Sequence, residues 1–328
     1  MQSAEALKAS LHIDFPIKKN PMLNHTDSLF FIGSCFSQEI STKLRRLGLA
    51  SYCSEFGTLF TPQSIEKTIK VVVSKADPFI QSYEGVYHAM DFPYKFQDTQ
   101  LETLISLIGE VGNKDAHKLR TADHVFITLG TAWYYTIEKQ SVGNCHKIPQ
   151  SLFSKQIAKT EEIKASLQSI LSEIQLINSK ANVYFTISPV RHLRDGLEDN
   201  NRSKSVLKAA LSEFIEANPS VGYFPAFEIV SEELKDYRFY KADLMHPSEF
   251  AIDYVFSRLI ETFGSESLLR FADEAQKLLR KMRHQPTTEV EQIAWKEKLN
   301  PQILQFQNKW GATPVQEEAL QKFPPHAY

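Results

Sequence analysis

Residues 28–41 read SLFFIGSCFSQEIS, and the fold follows from them. Leu29, Phe30, Phe31 and Ile32 are all apolar, as in a strand covered on both faces, and Phe36, Ile40 and Leu44 then recur at helical spacing. Gly33 permits a tight turn between the two. A buried strand that turns sharply into a helix sets its turn residues, Ser34 and Cys35, at the carboxyl edge of a sheet with backbone N–H groups exposed. That is the place for a nucleophile.

The same pattern recurs along the chain. Residues 124–129, HVFITL, form a second apolar run ended by Gly130, with residues 131–135 extending beyond the sheet edge. Ile163, Leu167, Ile170, Leu171, Ile174 and Ile177 repeat at intervals of three and four, which predicts an amphipathic helix over 161–178. It leads into a strand over 183–187 that ends in a polar loop of Ser188, Pro189, Val190, Arg191 and His192. A helix follows over 203–217, with Val206, Leu207, Ala210, Leu211 and Phe214 on one face. Residues 223–230, YFPAFEIV, predict another strand, pushed toward an edge by Pro225. DLMHPSEF then opens a helix with Ala251, Tyr254, Val255, Leu259 and Ile260 directed inward. Strand alternating with helix predicts a parallel α/β sheet with right-handed crossovers.

The connecting segments are less patterned. Residues 13–17 suggest a short edge strand interrupted by Pro16, and Gly57, Thr58 and Pro62 mark a loop before a helix beginning near Gln63. Residues 84–96, with His88 and Asp91, are aromatic-rich and read as a loop packed on the core; Asn144, Cys145, His146 and Lys147 form a polar loop. Beyond Gly264 one more helix carries Phe271, Ala275, Leu278, Leu279 and Met282 before Pro286. The polar remainder, helical in parts, is expected to wrap the domain, which gives an α/β domain over 1–265 and a C-terminal helical extension over 266–328.

Composition narrows the function classes. With 328 residues, 42% hydrophobic and 23% charged, the chain can bury a sizeable core. A net charge of −2 offers no basic field for nucleic acid, and no stretch approaches the roughly 20 apolar residues of a membrane span. The first residues lack a basic segment followed by an apolar run, so no signal peptide is expected. Three cysteines with no CxxC fit a reducing compartment, by default the cytoplasm. The spacings of Cys35, Cys53, Cys145, His88 and His146 lack the local pairs of a zinc site, and neither GxxxxGK[ST] nor GxGxxG occurs, so neither metal nor cofactor is expected.

A hydroxyl or thiol at a strand-to-helix elbow is a weak nucleophile until a base takes its proton and N–H groups stabilise the oxyanion. Asp243 and His246, three residues apart, can lie on one turn, so that the carboxylate holds the imidazole's tautomer and its other nitrogen faces the nucleophile.

IGSCFS, FGTLFTP, VFITLGTAWYY, NCHK, SPVRH, YFPAFEI, DYRFY and DLMHPS, in this order between about residues 28 and 263, closely resemble the GSCFA-domain proteins. Those in turn resemble distant members of the SGNH, or GDSL-like, hydrolases. The resemblance implies a flavodoxin-like three-layer α/β/α sandwich and the cleavage or transfer of acyl esters. It also places a Gly-Asp-Ser elbow onto Gly33, Ser34 and Cys35. Without a gap Cys35 takes the nucleophile's position; a one-residue shift gives it to Ser34. Cys35 is favoured because the third position sets the helix start, where a thiol near a helix N-terminus and a histidine becomes more acidic. By the same resemblance Asp243 and His246 match the closing DxxH, and Gly57 would supply a second oxyanion donor. Ala132 stands where an asparagine after Gly130 and Thr131 is expected, so Asn144 or the N–H groups around Thr131 would substitute.

His146, Lys147, Arg191, His192 and Arg238 are candidates to bind an anionic or sugar-like substrate. The expected function is hydrolysis or transfer of a small-molecule or carbohydrate acyl ester by Cys35 or Ser34, His246 and Asp243. The alternative is a degenerate member that binds a glycan or acyl ligand without turnover.

Overall fold

The structure is a computed structural model that describes residues 15–20, 22–283, 286–311 and 314. Five parallel strands form the central sheet: β1 (Ser28–Gly33), β2 (Ala50–Thr58), β3 (His124–Leu129), β4 (Asn182–Ile187) and β5 (Gly222–Phe224). Their order is β5-β4-β3-β1-β2, the flavodoxin-like arrangement. The chain steps from β1 outward to β2 and then crosses back to β3 on the other side of β1. Loops leaving the carboxyl ends of β1 and β3 therefore diverge, and a crevice opens between them.

Side chains alternate across the sheet, so each strand feeds two cores. Phe30 and Ile32 of β1, Val125, Ile127 and Leu129 of β3, and Val183, Phe185 and Ile187 of β4 pack on one face. That face is covered by α2 (Pro62–Val73), α3 (Leu101–Arg120), α4 (Thr160–Ile177) and α5 (Gly196–Ala217). Leu29, Phe31, Phe126 and Tyr184 point to the other face, under α1 (Cys35–Leu47), α6 (Glu249–Phe263), α7 (Glu266–Arg283) and α8 (Glu289–Trp310). The result is three layers, α/β/α. Leu268, Phe271, Ala275 and Leu278 of α7 and Leu299 and Phe306 of α8 are part of that second core rather than a separate one.

Two small antiparallel sheets decorate the molecule. Ile80–Tyr83, Val86–Ala89 and Gln97–Asp98 form one, and Trp133–Ile137, Gln140–Val142 and Ser154–Ile157 the other. Asp91 joins them to α2: it accepts Lys67 Nζ at 2.8 Å and the Phe79 N–H at 2.7 Å, while Lys67 also donates to the Ser141 carbonyl.

Several local expectations are corrected. Residues 84–96 are not all loop, since Val86–Ala89 pairs on both sides. The strand expected over 223–230 stops at Phe224, and Ala226–Glu228 is already helical because Pro225 offers no N–H to a ladder and sits in a turn. Strand β2 carries the polar run SYCSEFG. Its polarity is spent on a buried carboxylate: Asp115 of α3 accepts the Tyr52 hydroxyl at 2.7 Å, the Ser54 hydroxyl at 2.5 Å and the Glu55 N–H at 3.1 Å. Helix α5 begins at Gly196, two turns before the apolar pattern. Of the expected edge strand, residues 13 and 14 lie outside the described residues, and residues 15–17 are not in a strand but pack Phe15 and Ile17 on the second core.

Candidate active site

The elbow is built by three neighbouring strands. Gly33 pairs with Thr128 of β3, and its backbone comes so close that a Cβ there would stand 2.2 Å from the Thr128 carbonyl oxygen. The Ser34 N–H donates to that oxygen at 3.1 Å, and Ser37 Oγ reaches Thr128 Oγ1 at 2.7 Å. On the other side Thr58 pairs with Gly33 and the Leu59 N–H donates to the Gly33 carbonyl at 2.8 Å. This brings Gly57 beside the elbow, with a φ of +92°.

Ser34 is the N-cap of α1 and Cys35 its first residue. The two differ sharply in access. Ser34 is 2% exposed and its Oγ has no hydrogen-bond partner, whereas Cys35 is half-buried. In the first turn of α1 the Ser37 N–H donates to the Ser34 carbonyl at 2.9 Å, while the N–H groups of Cys35 and Phe36 precede the first intrahelical acceptor.

The second half of the site comes from the loop before α6. Asp243 Oδ1 accepts the N–H groups of Met245 (2.9 Å) and His246 (3.0 Å), which folds the DLMH turn with Leu244 at a φ of +57°. Its Oδ2 lies 2.7 Å from His246 Nδ1, so the other ring nitrogen is the one available to a thiol. Cys35 is the foremost of the groups that act on the His246 ring, which sets its thiol beside that ring. The loop is braced: the Lys241 N–H meets the His246 carbonyl at 2.8 Å, and the Arg191 N–H meets the Met245 carbonyl at 3.0 Å.

These contacts set the charges. Cys35, with help from Asp243 and against burial, raises the His246 pKa to about 9. The His246 N–H and ring hold the Asp243 carboxyl down to about 2. The raised histidine value means that stabilisation from the charged ring is fully present below about pH 6.5 and is lost as the pH rises through about 9. The lowered aspartate value means that its contribution is present above about pH 3.8 and is lost as the pH falls through about 2. Thermal unfolding of the wild type and of His246→Gln should therefore differ most near pH 6, and the gap should close by about pH 10.

The other residues singled out from the sequence fall into two groups. Arg191 and His192 lie beside the His246 loop: the Arg191 guanidinium sits 4.0 Å from the Tyr240 ring centroid, and His192 packs edge-on against Phe60. The Gly130 and Thr131 N–H groups both donate to the Phe60 carbonyl, at 2.7 and 2.9 Å, and the Ala132 N–H donates to Ser203 Oγ at 2.7 Å. All three are thus already engaged. Asn144 and His146 belong to the small-sheet region. Asn144 Oδ1 accepts the His146 N–H, and His146 Nε2 lies 3.0 Å from the carbonyls of both Ala89 and Phe92. Burial holds the His146 pKa near 4, so this ring is neutral and fastens the loop. Arg238 pairs with Asp236, and Lys147 lies over Tyr94. Among the described residues no three His, Cys, Asp or Glu side chains are grouped to hold a metal, and no helix is long and apolar enough to cross a membrane.

Sequence reasoning missed Asn200, Ser203 and Lys204 at the start of α5, all buried. Asn200 Oδ1 accepts the His192 N–H at 2.9 Å, Ser203 holds Thr131 and Ala132, and Lys204 Nζ donates to the carbonyls of Gly130 at 2.6 Å and Ser188 at 2.8 Å. A signal existed: these polar residues share the helical phase of Leu207, Ala210, Leu211 and Phe214.

A model of the GSCFA family matches residues 28–259, which span the elbow, the DLMH turn and all five central strands. The chain belongs to the GSCFA family. No curated protein matches it. Among solved structures, this GSCFA protein is similar to a chain from Streptococcus pneumonia described provisionally as a platelet activating factor, at 12% identity and a TM-score of 0.39 over 72% of this chain and 82% of that one. It is also similar to a carbohydrate esterase family 3 protein from Talaromyces cellulolyticus, at 8% identity and a TM-score of 0.32 over 76% and 99% of the two chains. A third is the acetyl xylan esterase Est2A from Butyrivibrio proteoclasticus, at 11% identity and a TM-score of 0.31 over 76% and 64%.

Proposed function

We propose that this GSCFA protein hydrolyses or transfers acyl esters of the SGNH type, with Cys35 as nucleophile, His246 as acid and base, and Asp243 as the group that orients the ring. The observation that carries the reading is the unbroken series from the half-buried Cys35 thiol through His246 to Asp243, with Ser34 buried behind it. His246 takes the thiol proton, and the sulfur attacks the ester carbonyl. The tetrahedral oxyanion rests on first-turn N–H groups of α1 and on Gly57. The imidazolium then gives its proton to the departing alkoxide, leaving a thioester. Water or an acceptor alcohol, deprotonated by His246, attacks that thioester and releases the acyl group with the thiol restored. The acyl donor is an acylated carbohydrate or another small ester, with Arg191 and His192 at the rim to contact it. The α/β domain, assigned to residues up to 265, is the catalytic part, and beyond it helices α7 and α8 pack on its second core. A reducing compartment such as the cytoplasm suits three free cysteines.

One observation favours a second reading. Ala132 has no side-chain donor, and the N–H groups of residues 130–132 are engaged. A non-catalytic binder of a glycan or acyl ligand would need no oxyanion site. Labelling separates the readings and the nucleophiles. Iodoacetamide is expected to modify Cys35 and to stop turnover of p-nitrophenyl acetate and acetylated sugars, while a fluorophosphonate leaves Ser34 untouched. Labelling of Ser34 would reverse the nucleophile assignment. Absence of turnover across the ester panel would favour the binder.

A further inference from the structure

We propose that Lys204 is a positioning residue of this site, a buried ammonium whose counter-ion is the Cys35 thiolate. The inference rests on the reading of Cys35 as the nucleophile. Lys204 is 3% exposed, at the sheet's carboxyl edge between β3 and β4. Gly130, whose carbonyl it holds, stands two residues beyond Thr128, the register partner of Gly33, so the ammonium lies close to the elbow.

A lysine carries three N–H donors, and two of these meet carbonyl oxygens. Carbonyl dipoles do not neutralise a charge, and burying an unpaired ammonium is costly. Among the described residues the other buried lysine, Lys43, answers that cost with Asp253 at 2.5 Å. Among the described residues no carboxylate pairs with Lys204. Burial lowers its pKa to about 7, and the anionic group that works against this is Cys35. The remaining neighbours do not supply a charge: the Phe227 ring lies 5.8 Å from Nζ, and Glu228 is held by Lys208 and the Tyr223 hydroxyl. From the other side the sulfur faces His246 with Asp243 behind it; Arg191 and His192 are placed against Tyr240 and Phe60. Of the two cations assigned to the thiolate, His246 moves protons and Lys204 stays clamped between the carbonyls of Gly130 and Ser188.

The rate of Cys35 alkylation by iodoacetamide, followed from pH 5 to 10, reads this directly and needs no substrate. Lys204→Gln removes the charge and keeps amide donors for the carbonyls. It is expected to slow alkylation about tenfold at pH 6.5 and to move the midpoint of the profile up by about one pH unit, the shift a lost neighbouring cation produces. The same displacement is expected in a His246→Ala background, since the ammonium acts on sulfur without the ring. In the wild type, 13Cε-lysine NMR should show the Lys204 midpoint falling when Cys35→Ala removes the thiolate, a reading that survives if Lys204→Gln fails to fold. Superimposable alkylation profiles, or a Lys204 midpoint indifferent to Cys35→Ala, would overturn the proposal. A Cys35 that reacts no faster than a free thiol would instead reject the nucleophile assignment, with the NMR comparison still deciding on Lys204.

Discussion

Cys35→Ala is expected to abolish ester turnover and His246→Ala to lower kcat/KM by about a thousandfold or more, with the fold of both variants intact by circular dichroism. The size follows from the way such groups work as a unit: without the base the nucleophile stays protonated, and without the nucleophile the base has nothing to activate. Both side chains lie at the site's surface, Cys35 half-buried and His246 with its side chain 22% exposed, so neither removal opens a core cavity. Asp243→Ala is expected to fall between them and the wild type. It releases the ring and also frees the Met245 and His246 N–H groups that shape the turn. Full activity in Cys35→Ala would return the nucleophile's role to Ser34 or remove the acyl chemistry altogether.

Gly33→Ala should have the largest effect on stability. Its φ of +129° is one that an L side chain rarely adopts, and the added methyl would stand 2.2 Å from the Thr128 carbonyl oxygen and 2.9 Å from the same residue's N and C atoms. Those are ladder atoms of a central strand and cannot swing away. Strain and forced separation together should cost roughly 3–5 kcal/mol, read as a lower denaturant midpoint at unchanged slope. Turnover should fall further than stability does, since moving β1 from β3 carries Ser34 and Cys35 with it. Gly85→Ala is the matched control. It has a φ of +79° but open space around its Cβ, so only the backbone term of about 1 kcal/mol remains.

The layers of the fold were legible because LFFI, VFITL and VYFTI are continuous apolar runs that only a doubly covered strand explains. Strand β2 was not, since its pairing rests on Asp115, which lies sixty-one residues from Ser54 in the chain and satisfies its hydroxyls. The elbow and the DLMH turn could be read from local sequence, the one from its glycine and the other from its three-residue spacing. Periodicity does not say where a loop tip travels, so Asn144 and His146 looked like companions of the elbow but support the small-sheet region. Lys204 shows the opposite failure. A lysine in an amphipathic helix reads as solvent-facing unless its phase is checked against the apolar stripe.

Helices α7 and α8 bear on how the chain tolerates shortening. His25, Phe271, Phe306 and Trp310 interlock their rings where the segment before β1 meets α7 and α8. A protein cut after Gly264 keeps every reacting group yet bares the oily flank of α1 and α6, and such a surface sticks to its own copies. Trimming the tail would therefore cost solubility and, with it, the backing of the helix that carries the thiol.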